Sequence, residues 1–456
     1  MIDTNISDEV KIYELSLIWK EAAQNFAFWE RLSDTLDWDK AYREALPKVL
    51  ATDNLYDYYM ELSRFLTLLK DGHTRIFDFP ESVQETFTYL PIDINYRSGH
   101  HVILDVDKSL ENEIKQYSVI KKINGVDIFE YIEKELFPYY WHEKYDTACD
   151  YLDYLIKRGT TEDEVELEIE YDGIVKTISL KRWHYSVKKN WVYENINIEP
   201  EEIFEEIYRS DSHSIEITKD NIAIITIDSF ADDNLRDEFY ANFPIFETAR
   251  GYIIDIRCNY GGGSMNADAV TAAFIKGQYF SGRSLLPVYI GNYKTIAPYL
   301  NFGDKTYDQV AIEYGSDNWV TTAYKVWKKI HYNDSLDERH SDYYEPPGTL
   351  TAPVVVLTSE VTGSAAEDMV VAMTDYKRAV IVGKPTAGSN GQPLSLKLES
   401  GGSVWICTQY CKLPDGGEYM NIGVQPDIYF DPSLEDWRNG VDSAMNKGLE
   451  ELRKLI

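Results

Sequence analysis

The stretch Thr358-Ser359-Glu360-Val361-Thr362-Gly363-Ser364-Ala365-Ala366-Glu367-Asp368 decides the fold, because it joins a predicted strand to a predicted helix. It follows Pro353-Val354-Val355-Val356-Leu357, a short β-branched run that predicts a buried strand. Behind it, small and apolar residues recur at helical spacing from 365 to 374. Ser364 is therefore predicted to lie where a strand ends and a helix begins.

Two interpretations of Ser364 follow from this position. A hydroxyl at a sheet edge, beside unpaired amide N–H groups and the positive end of a helix dipole, suits a nucleophile that attacks a carbonyl. The run from Ser364 to Glu367 also fits a capping box, in which the serine side chain only accepts a hydrogen bond from a backbone amide. Capping serines far outnumber nucleophiles, so this stretch alone favours the cap.

Four further motifs accompany the Ser364 stretch along the chain. They are Asp71-Gly72-His73-Thr74, Asp255-Ile256-Arg257-Cys258-Asn259-Tyr260-Gly261-Gly262-Gly263, Gly383-Lys384-Pro385-Thr386-Ala387-Gly388 and Gly423-Val424-Gln425-Pro426-Asp427-Ile428. Each motif is weak alone, but the ordered set resembles the tail-specific (carboxyl-terminal processing) serine peptidases. Within that family the chain looks closer to the branch with the tricorn protease core and the interphotoreceptor retinoid-binding protein repeats.

Three domains are predicted. Residues 1–85 carry helical apolar stripes and His73, which predicts an N-terminal helical domain. Residues 86–187 contain alternating strand patterns and an Asn124-Gly125 turn, which predict a β-rich module. Residues 188–456 alternate apolar strands with helices, which predicts an α/β core. The resemblance implies that the module is PDZ-like and docks peptides, and that the core is crotonase-like (ClpP/crotonase-type). The alternative for the module is a spacer that binds no ligand.

The resemblance also implies catalytic residues. The tail-specific branch uses a Lys in a Thr-x-Gly-Lys-Gly run as general base, but here Ser389 occupies the lysine position and cannot serve as a base. Lys384 is expected to be solvated. His73 matches the base of the tricorn-like branch, although Gly72 replaces the serine that precedes the histidine there. Glu418 is predicted to orient His73, on the premise that 418–420 form a strand.

The glycines of the Asp255–Gly263 motif permit backbone amides to approach an oxygen anion closely. The sequence has neither a dinucleotide fingerprint nor a phosphate-loop lysine there, so phosphate binding is disfavoured. By resemblance, the amides of Gly262 and Ala365 would form an oxyanion hole. Asp255, Arg257 and Asn259 are expected to brace this loop. No metal or cofactor is implied.

Composition limits the class of protein. The 456 residues are 44% hydrophobic with 35 Tyr, which predicts a globular chain, and the formal net charge of −32 argues against nucleic acid as a partner. The four cysteines fit no metal spacing, and no apolar run is long enough to span a membrane. We expect a soluble protein, cytoplasmic if the chain is complete and exported if a leader was removed; an oligomer is compatible with the sequence.

The sequence thus favours a serine endopeptidase that docks extended or unfolded polypeptide and forms an acyl-enzyme on Ser364 with His73 as general base. An alternative is an inactive carrier of peptides or lipids, since the retinoid-binding relatives resemble this chain and act as carriers. A third is an esterase that uses the same oxyanion hole.

Overall fold

The computed structural model describes residues 6–32, 35–193, 200–202, 204–287, 300, 302–303, 305–316, 318–328 and 332–456. The chain divides into two compact units, one of Met1–Glu81, Arg283–Leu336 and Gly391–Lys412, the other of Ser82–Gly282, Asp337–Asn390 and Leu413–Ile456. The first unit is thus built from three separate stretches of chain. Each predicted domain (1–85, 86–187 and 188–456) is one continuous segment, so the two compact units group the chain differently from the predicted domains.

Five of the six described helices of the first unit start at side-chain caps. The described helices are Asp8–Asn25, Trp29–Leu32, Trp38–Leu50, Leu55–Leu66, Tyr307–Tyr314 and Trp319–Trp327. Asn54 caps the fourth by accepting a hydrogen bond from the Asp57 amide, and the apolar stripe predicted on that helix is buried. Its residue Phe65 stacks on Trp38 with ring centroids 4.3 Å apart. The predicted helical character of this region is confirmed.

A three-stranded antiparallel sheet completes the first unit, in the order Arg75–Asp78, Ser403–Cys407, Pro393–Lys397. Before its first strand, Lys70 rather than Gly72 takes the left-handed conformation that ends the preceding helical turn, with φ 49°. Glycine is the residue type that most often ends a helix in this conformation, but Gly72, two residues later, does not do so here. Cys407 and Cys411 lie on two separate strands, Ser403–Cys407 and Tyr410–Lys412, and no disulfide joins them.

The β-rich part of the second unit has its own hydrophobic core. One sheet runs in the order Ile92–Arg97, His100–Val106, Ser118–Ile123, Glu164–Tyr171, Ile174–Lys181, with Val126–Asp127 paired to the third strand, and a smaller sheet joins Trp183–His184, Thr88–Tyr89 and Arg158–Gly159. Asn124 and Gly125 both have positive φ and form the predicted turn. Helical turns Glu81–Gln84, Ile128–Tyr131 and Ile132–Leu136, the short turn Lys108–Leu110 and the helix Tyr145–Lys157 complete this part.

The central sheet of the second unit has seven strands. Their order is Glu205–Arg209, His213–Ile217, Ile222–Ile227, Gly251–Asp255, Val354–Thr358, Val380–Gly383 and Ile428–Tyr429. From Ile222–Ile227 onward every neighbouring pair is parallel, so the carboxyl ends of five strands meet at one edge. Parallel strands need crossover connections, which agrees with the predicted alternation of strands and helices.

Helices cover the central sheet. They are Leu235–Ala241, Phe243–Phe246, Ser264–Phe274, Ala365–Asp375 and Ser443–Arg453. A further helix, Leu434–Arg438, packs instead on Val102, Leu104, Tyr117 and Val119 of the β-rich part. Met445, Leu449 and Leu452 of the last helix pack on apolar residues of the parallel strands. A Cβ on Gly448 would lie 2.8 Å from a methyl carbon of Leu357, so a small residue permits this close packing. The predicted mixed α/β class is confirmed.

Two further strands, Gln278–Pro287 and Tyr332–His340, lie in the segment 278–348, whose sequence shows little periodicity. Two helices lie there as well, so the described parts of this segment are ordered into regular structure; residues 288–299 of it lie outside the described residues. Among the described helices, none is long and apolar enough to cross a membrane.

Candidate active site

Ser364 lies at the junction of a parallel strand and a helix, as predicted. Its backbone has φ 51° and ψ −125°, a conformation that L residues rarely adopt and that indicates strain. The Ser364 amide donates to the carbonyl of Ser389 at 2.9 Å. Its side chain makes no capping hydrogen bond, so the capping-box interpretation is wrong. Ser364 is partly exposed.

The glycine loop of the Asp255–Gly263 motif lies against the Ser364 turn. A Cβ on Gly261 would lie 2.6 Å from the Ser364 Cβ and 3.0 Å from the Ala365 amide nitrogen. The fully buried Asn259 accepts from the Gly261 amide at 2.8 Å and accepts from the Gly363 amide through its own carbonyl at 3.1 Å. Asn259 therefore holds the glycine loop and the serine turn together, which agrees with its expected bracing role.

The backbone N–H groups of Gly262 and Ala365, near Ser364, are available to donate hydrogen bonds. Within the described part of the chain, no acceptor is hydrogen-bonded to the amide of Gly262 or of Ala365. Gly262 has φ 139°, and a Cβ there would lie 2.3 Å from the Ala231 amide nitrogen, so only glycine fits. Unpaired amides beside a partly exposed serine are the arrangement that stabilises an oxyanion. The oxyanion-hole assignment of these two amides stays a prediction.

Glu367 is a buried carboxylate one helical turn after Ser364. Its Oε1 accepts from the Thr386 hydroxyl at 2.5 Å and from the Gly388 amide at 2.7 Å, and its Oε2 accepts from the Ser389 amide at 2.9 Å. Burial raises the pKa of Glu367 to about 7, while these hydrogen bonds act in the opposite direction. The loop 386–389 is thus bound to both Glu367 and the Ser364 amide.

Arg257 fixes the start of the glycine loop. Its guanidinium donates to both carboxylate oxygens of Asp442 at 2.8 Å and to Asp255 at 2.9 and 2.7 Å. The Arg257 carbonyl also accepts from the Ser359 hydroxyl at 2.5 Å, which connects the loop to the turn before Ser364. The expectation that Asp255 and Arg257 brace the loop is confirmed.

Lys384 is buried, so the expectation that it is solvated is wrong. Its Nζ lies 2.7 Å from Asp146, 3.3 Å from Glu360 and 3.8 Å from Asp431. Burial acts to lower its pKa, but the three carboxylates outweigh burial and raise it. Lys384 therefore remains charged at neutral pH and cannot act as a general base.

His73 belongs to the first unit, whereas Ser364 belongs to the second. It follows Asp71, whose carboxylate accepts from the Thr74 hydroxyl at 2.6 Å; that hydroxyl in turn accepts from the Cys407 amide at 3.0 Å. The turn that carries His73 is therefore tied to the neighbouring strand Ser403–Cys407. Burial lowers the pKa of His73, against a smaller raising effect of Asp71. The pairing of His73 with Ser364 stays a prediction.

Glu418 is exposed and follows the turn that the Leu413 and Gly416 amides close. The premise that 418–420 form a strand is wrong, because Glu418 makes only an isolated bridge and Met420 already belongs to the next turn. Met420 is buried and Glu418 is not, so the two residues do not share a face. The orienting role of Glu418 stays a prediction.

Sequence reasoning missed the structural role of Glu367 and missed Lys144 altogether. The Lys144 ammonium donates to the carbonyls of Pro385 and Thr386. The sequence contains a signal for the role of Glu367. It is an acidic residue on the inward face of an otherwise apolar helix, and a buried carboxylate needs hydrogen-bond partners. Lys144 had none, because its partners lie about 240 residues further along the chain.

Comparisons with known proteins agree with this architecture. Residues 221–430 match the family model described as Peptidase family S41. The chain is 26% identical over 208 residues to a "Carboxy-terminal-processing protease" of Bartonella bacilliformis, covering 45% of this chain and 36% of that protein. It is 34% identical over 82 residues to a "C-terminal processing peptidase, chloroplastic" of Tetradesmus obliquus, covering 18% of each.

The aligned part thus spans about a third or less of the length of these curated relatives. A solved structure, that of mature CPAF complexed with lactacystin, matches with a TM-score of 0.71 over 98% of both chains at 17% identity, which shows a shared fold. The matched segment contains the glycine loop, Ser364 and the loop 386–389, so the part of the chain that carries the candidate site is similar to Peptidase family S41.

Proposed function

We propose that this chain is a serine endopeptidase that cleaves extended or unfolded polypeptides through an acyl-enzyme on Ser364. The observation that carries the proposal is the strained turn at Ser364 beside the two unbonded amides of Gly262 and Ala365. A strained backbone at a strand-to-helix turn exposes a hydroxyl and is characteristic of functional sites.

In the proposed reaction, neutral His73 takes the proton of the Ser364 hydroxyl while Ser364 Oγ bonds to the peptide carbonyl carbon. The Gly262 and Ala365 amides hold the resulting oxyanion. His73 then gives the proton to the leaving amine, and the acyl-enzyme forms as the peptide bond breaks. A water, deprotonated by His73, releases the new carboxyl end. Glu418 is proposed to orient the imidazole.

The lowered pKa of His73 supports its role as base, because the imidazole stays neutral at neutral pH. Residue 389, which occupies the position of the general-base lysine in the tail-specific branch, also supports His73 as the base. There Ser389 uses its amide to bind Glu367 and its carbonyl to bind the Ser364 amide, so it has a structural role.

The substrate class is inferred from the relatives. The two relatives described above are named as carboxyl-terminal processing enzymes, and we propose that this chain also cleaves near the carboxyl end of its polypeptide substrates. The β-rich residues 86–187 are proposed to be the PDZ-like module that docks the substrate, through strand addition to a sheet edge. The parallel central sheet is proposed to be a crotonase-like core.

Labelling with a fluorophosphonate probe and mass spectrometry tests the proposal. We expect the probe on Ser364 in the wild type, and neither labelling nor hydrolysis of a fluorescein-labelled unfolded polypeptide by Ser364→Ala. His73→Ala should lose both as well, while the matched control Ser179→Ala, at an exposed strand position, should keep both. Hydrolysis that survives Ser364→Ala would refute the proposal. Folded wild-type protein that takes up no probe would instead favour the inactive carrier, and turnover of small esters alone would favour the esterase.

A further inference from the structure

Lys144 places an ammonium group against the backbone of the loop that follows the strand Val380–Gly383. Lys144 lies immediately before the helix Tyr145–Lys157, and its Nζ donates to the carbonyl of Pro385 at 3.0 Å and to that of Thr386 at 2.5 Å. The Thr386 residue is fully buried and Lys144 is partly buried. A charged donor on two carbonyls inside the protein is a strong and directional contact.

The loop that Lys144 binds also holds the nucleophile turn. From this loop, the Thr386 hydroxyl and the Gly388 and Ser389 amides all donate to Glu367. The Ser389 carbonyl accepts from the Ser364 amide at 2.9 Å. A shift of the loop therefore moves the backbone of Ser364 directly, and moves the first turn of its helix through Glu367.

Charged groups of several elements face Lys144. They are Glu367 of the Ser364 helix, Glu360 of the turn before it, Asp146 of the Lys144 helix and the cation Lys384. Burial lowers the pKa of Lys144 to about 8, and the three carboxylates oppose this change. Lys144 is thus charged at neutral pH and loses its charge in the mildly alkaline range.

We infer that Lys144 is a positioning residue of the peptidase, which together with Glu367 clamps the loop 385–389 and so fixes the turn that carries Ser364. Lys144 itself acts through the loop and contacts neither the substrate nor the reacting atoms. This inference rests on the proposed function of Ser364 as the nucleophile. It also assigns to residue 144, which lies in the proposed docking module, an effect on the rate of the chemical step that the loop transmits.

The test compares Lys144→Met, which keeps the length of the side chain without its charge, with Lys144→Arg, which keeps the charge. Lys134→Met is the matched control, because Lys134 lies in the same β-rich part with a side chain 64% exposed. We expect Lys144→Met to lower kcat about 10²-fold with KM unchanged, since a misplacement of about 1 Å has an effect of this size. Lys144→Arg should recover part of the loss, and the control should match the wild type.

A pH profile separates positioning from a general loss of structure. The rate at which the fluorophosphonate probe labels wild-type Ser364 should fall above about pH 8, where Lys144 loses its charge. The rate for Lys144→Met should be low and flat in that range. A wild-type rate that does not fall there would overturn the inference even if Lys144→Met does not fold.

A Lys144→Met protein that is folded and labels at the wild-type rate would also overturn it. That result would leave the proposed function intact as long as Ser364→Ala is inactive, whereas hydrolysis by Ser364→Ala would refute the proposed function itself. The two failures are therefore distinguishable in the same set of measurements.

Discussion

The substitution Gly262→Ala tests whether the glycine loop must hold its present position for catalysis. Gly262 has φ 139°, and a Cβ built there lies 2.3 Å from the Ala231 amide nitrogen and 2.4 Å from the Phe230 carbonyl carbon. Both neighbours are backbone atoms and cannot rotate away. The substitution keeps the amide donor but displaces it, so it tests the position of the donor.

The size of the displacement follows from the contact distances. An ordinary contact begins at 3.4 Å, so the loop or its neighbour must shift by about 1 Å to accept the new methyl group. A misplacement of about 1 Å in a catalytic group lowers the rate about 10²-fold. Overpacking of this kind also lowers the free energy of unfolding by about 1–3 kcal/mol.

Gly277→Ala is the matched control. Gly277 also has positive φ, 87°, but a Cβ there meets nothing within 4 Å, so this substitution introduces backbone strain alone. We expect it to lower the free energy of unfolding by about 1–2 kcal/mol and to leave kcat unchanged. Steady-state hydrolysis of the unfolded polypeptide and urea unfolding measure both effects. A folded Gly262→Ala protein with the kcat of Gly277→Ala would refute the oxyanion assignment of this loop.

Three further predictions concern charged and titratable groups. Because His73 acts as a base only when neutral and burial lowers its pKa, the acid limb of the pH profile of kcat/KM should have its midpoint below 6.5, and a midpoint above that value would contradict the assignment. Lys384→Met leaves three partly exposed carboxylates without their buried cation and should lower the free energy of unfolding by about 1–3 kcal/mol, measured by urea unfolding against the exposed control Lys181→Met; equal stability of the two variants would count against the network. Arg257→Lys cannot keep both bidentate pairs and should lower the free energy of unfolding by about 1.5–3 kcal/mol, an expectation that an unchanged urea midpoint would overturn.

Much of the fold could be predicted because its signals are local. The Asn124-Gly125 turn, the helix over 365–374 and the apolar parallel strands all follow from a few neighbouring residues, and the structure contains each of them. Gly72 shows the limit of such signals. The left-handed residue that ends the preceding helical turn is Lys70, a non-glycine residue that the tertiary structure holds in this conformation.

The candidate site was predictable only in part. Ser364 and its glycine loop stand out in the sequence only as members of an ordered set of motifs, because each motif alone has common structural explanations. The capping interpretation could not be excluded from the sequence, since Ser364 and Glu367 have the capping-box spacing. Three donors of the loop 386–389 hold Glu367 instead, and these donors lie 19 to 22 residues away.

By itself, then, the sequence determined the elements, the order of the motifs and the position of Ser364 at the end of a strand. Only the tertiary structure decided that Lys144 and Glu367 converge on one loop and that Lys384 is buried among carboxylates. The physical reason is that secondary structure depends on the periodicity of neighbouring residues, whereas the partner of a buried charge depends on which distant segments pack together.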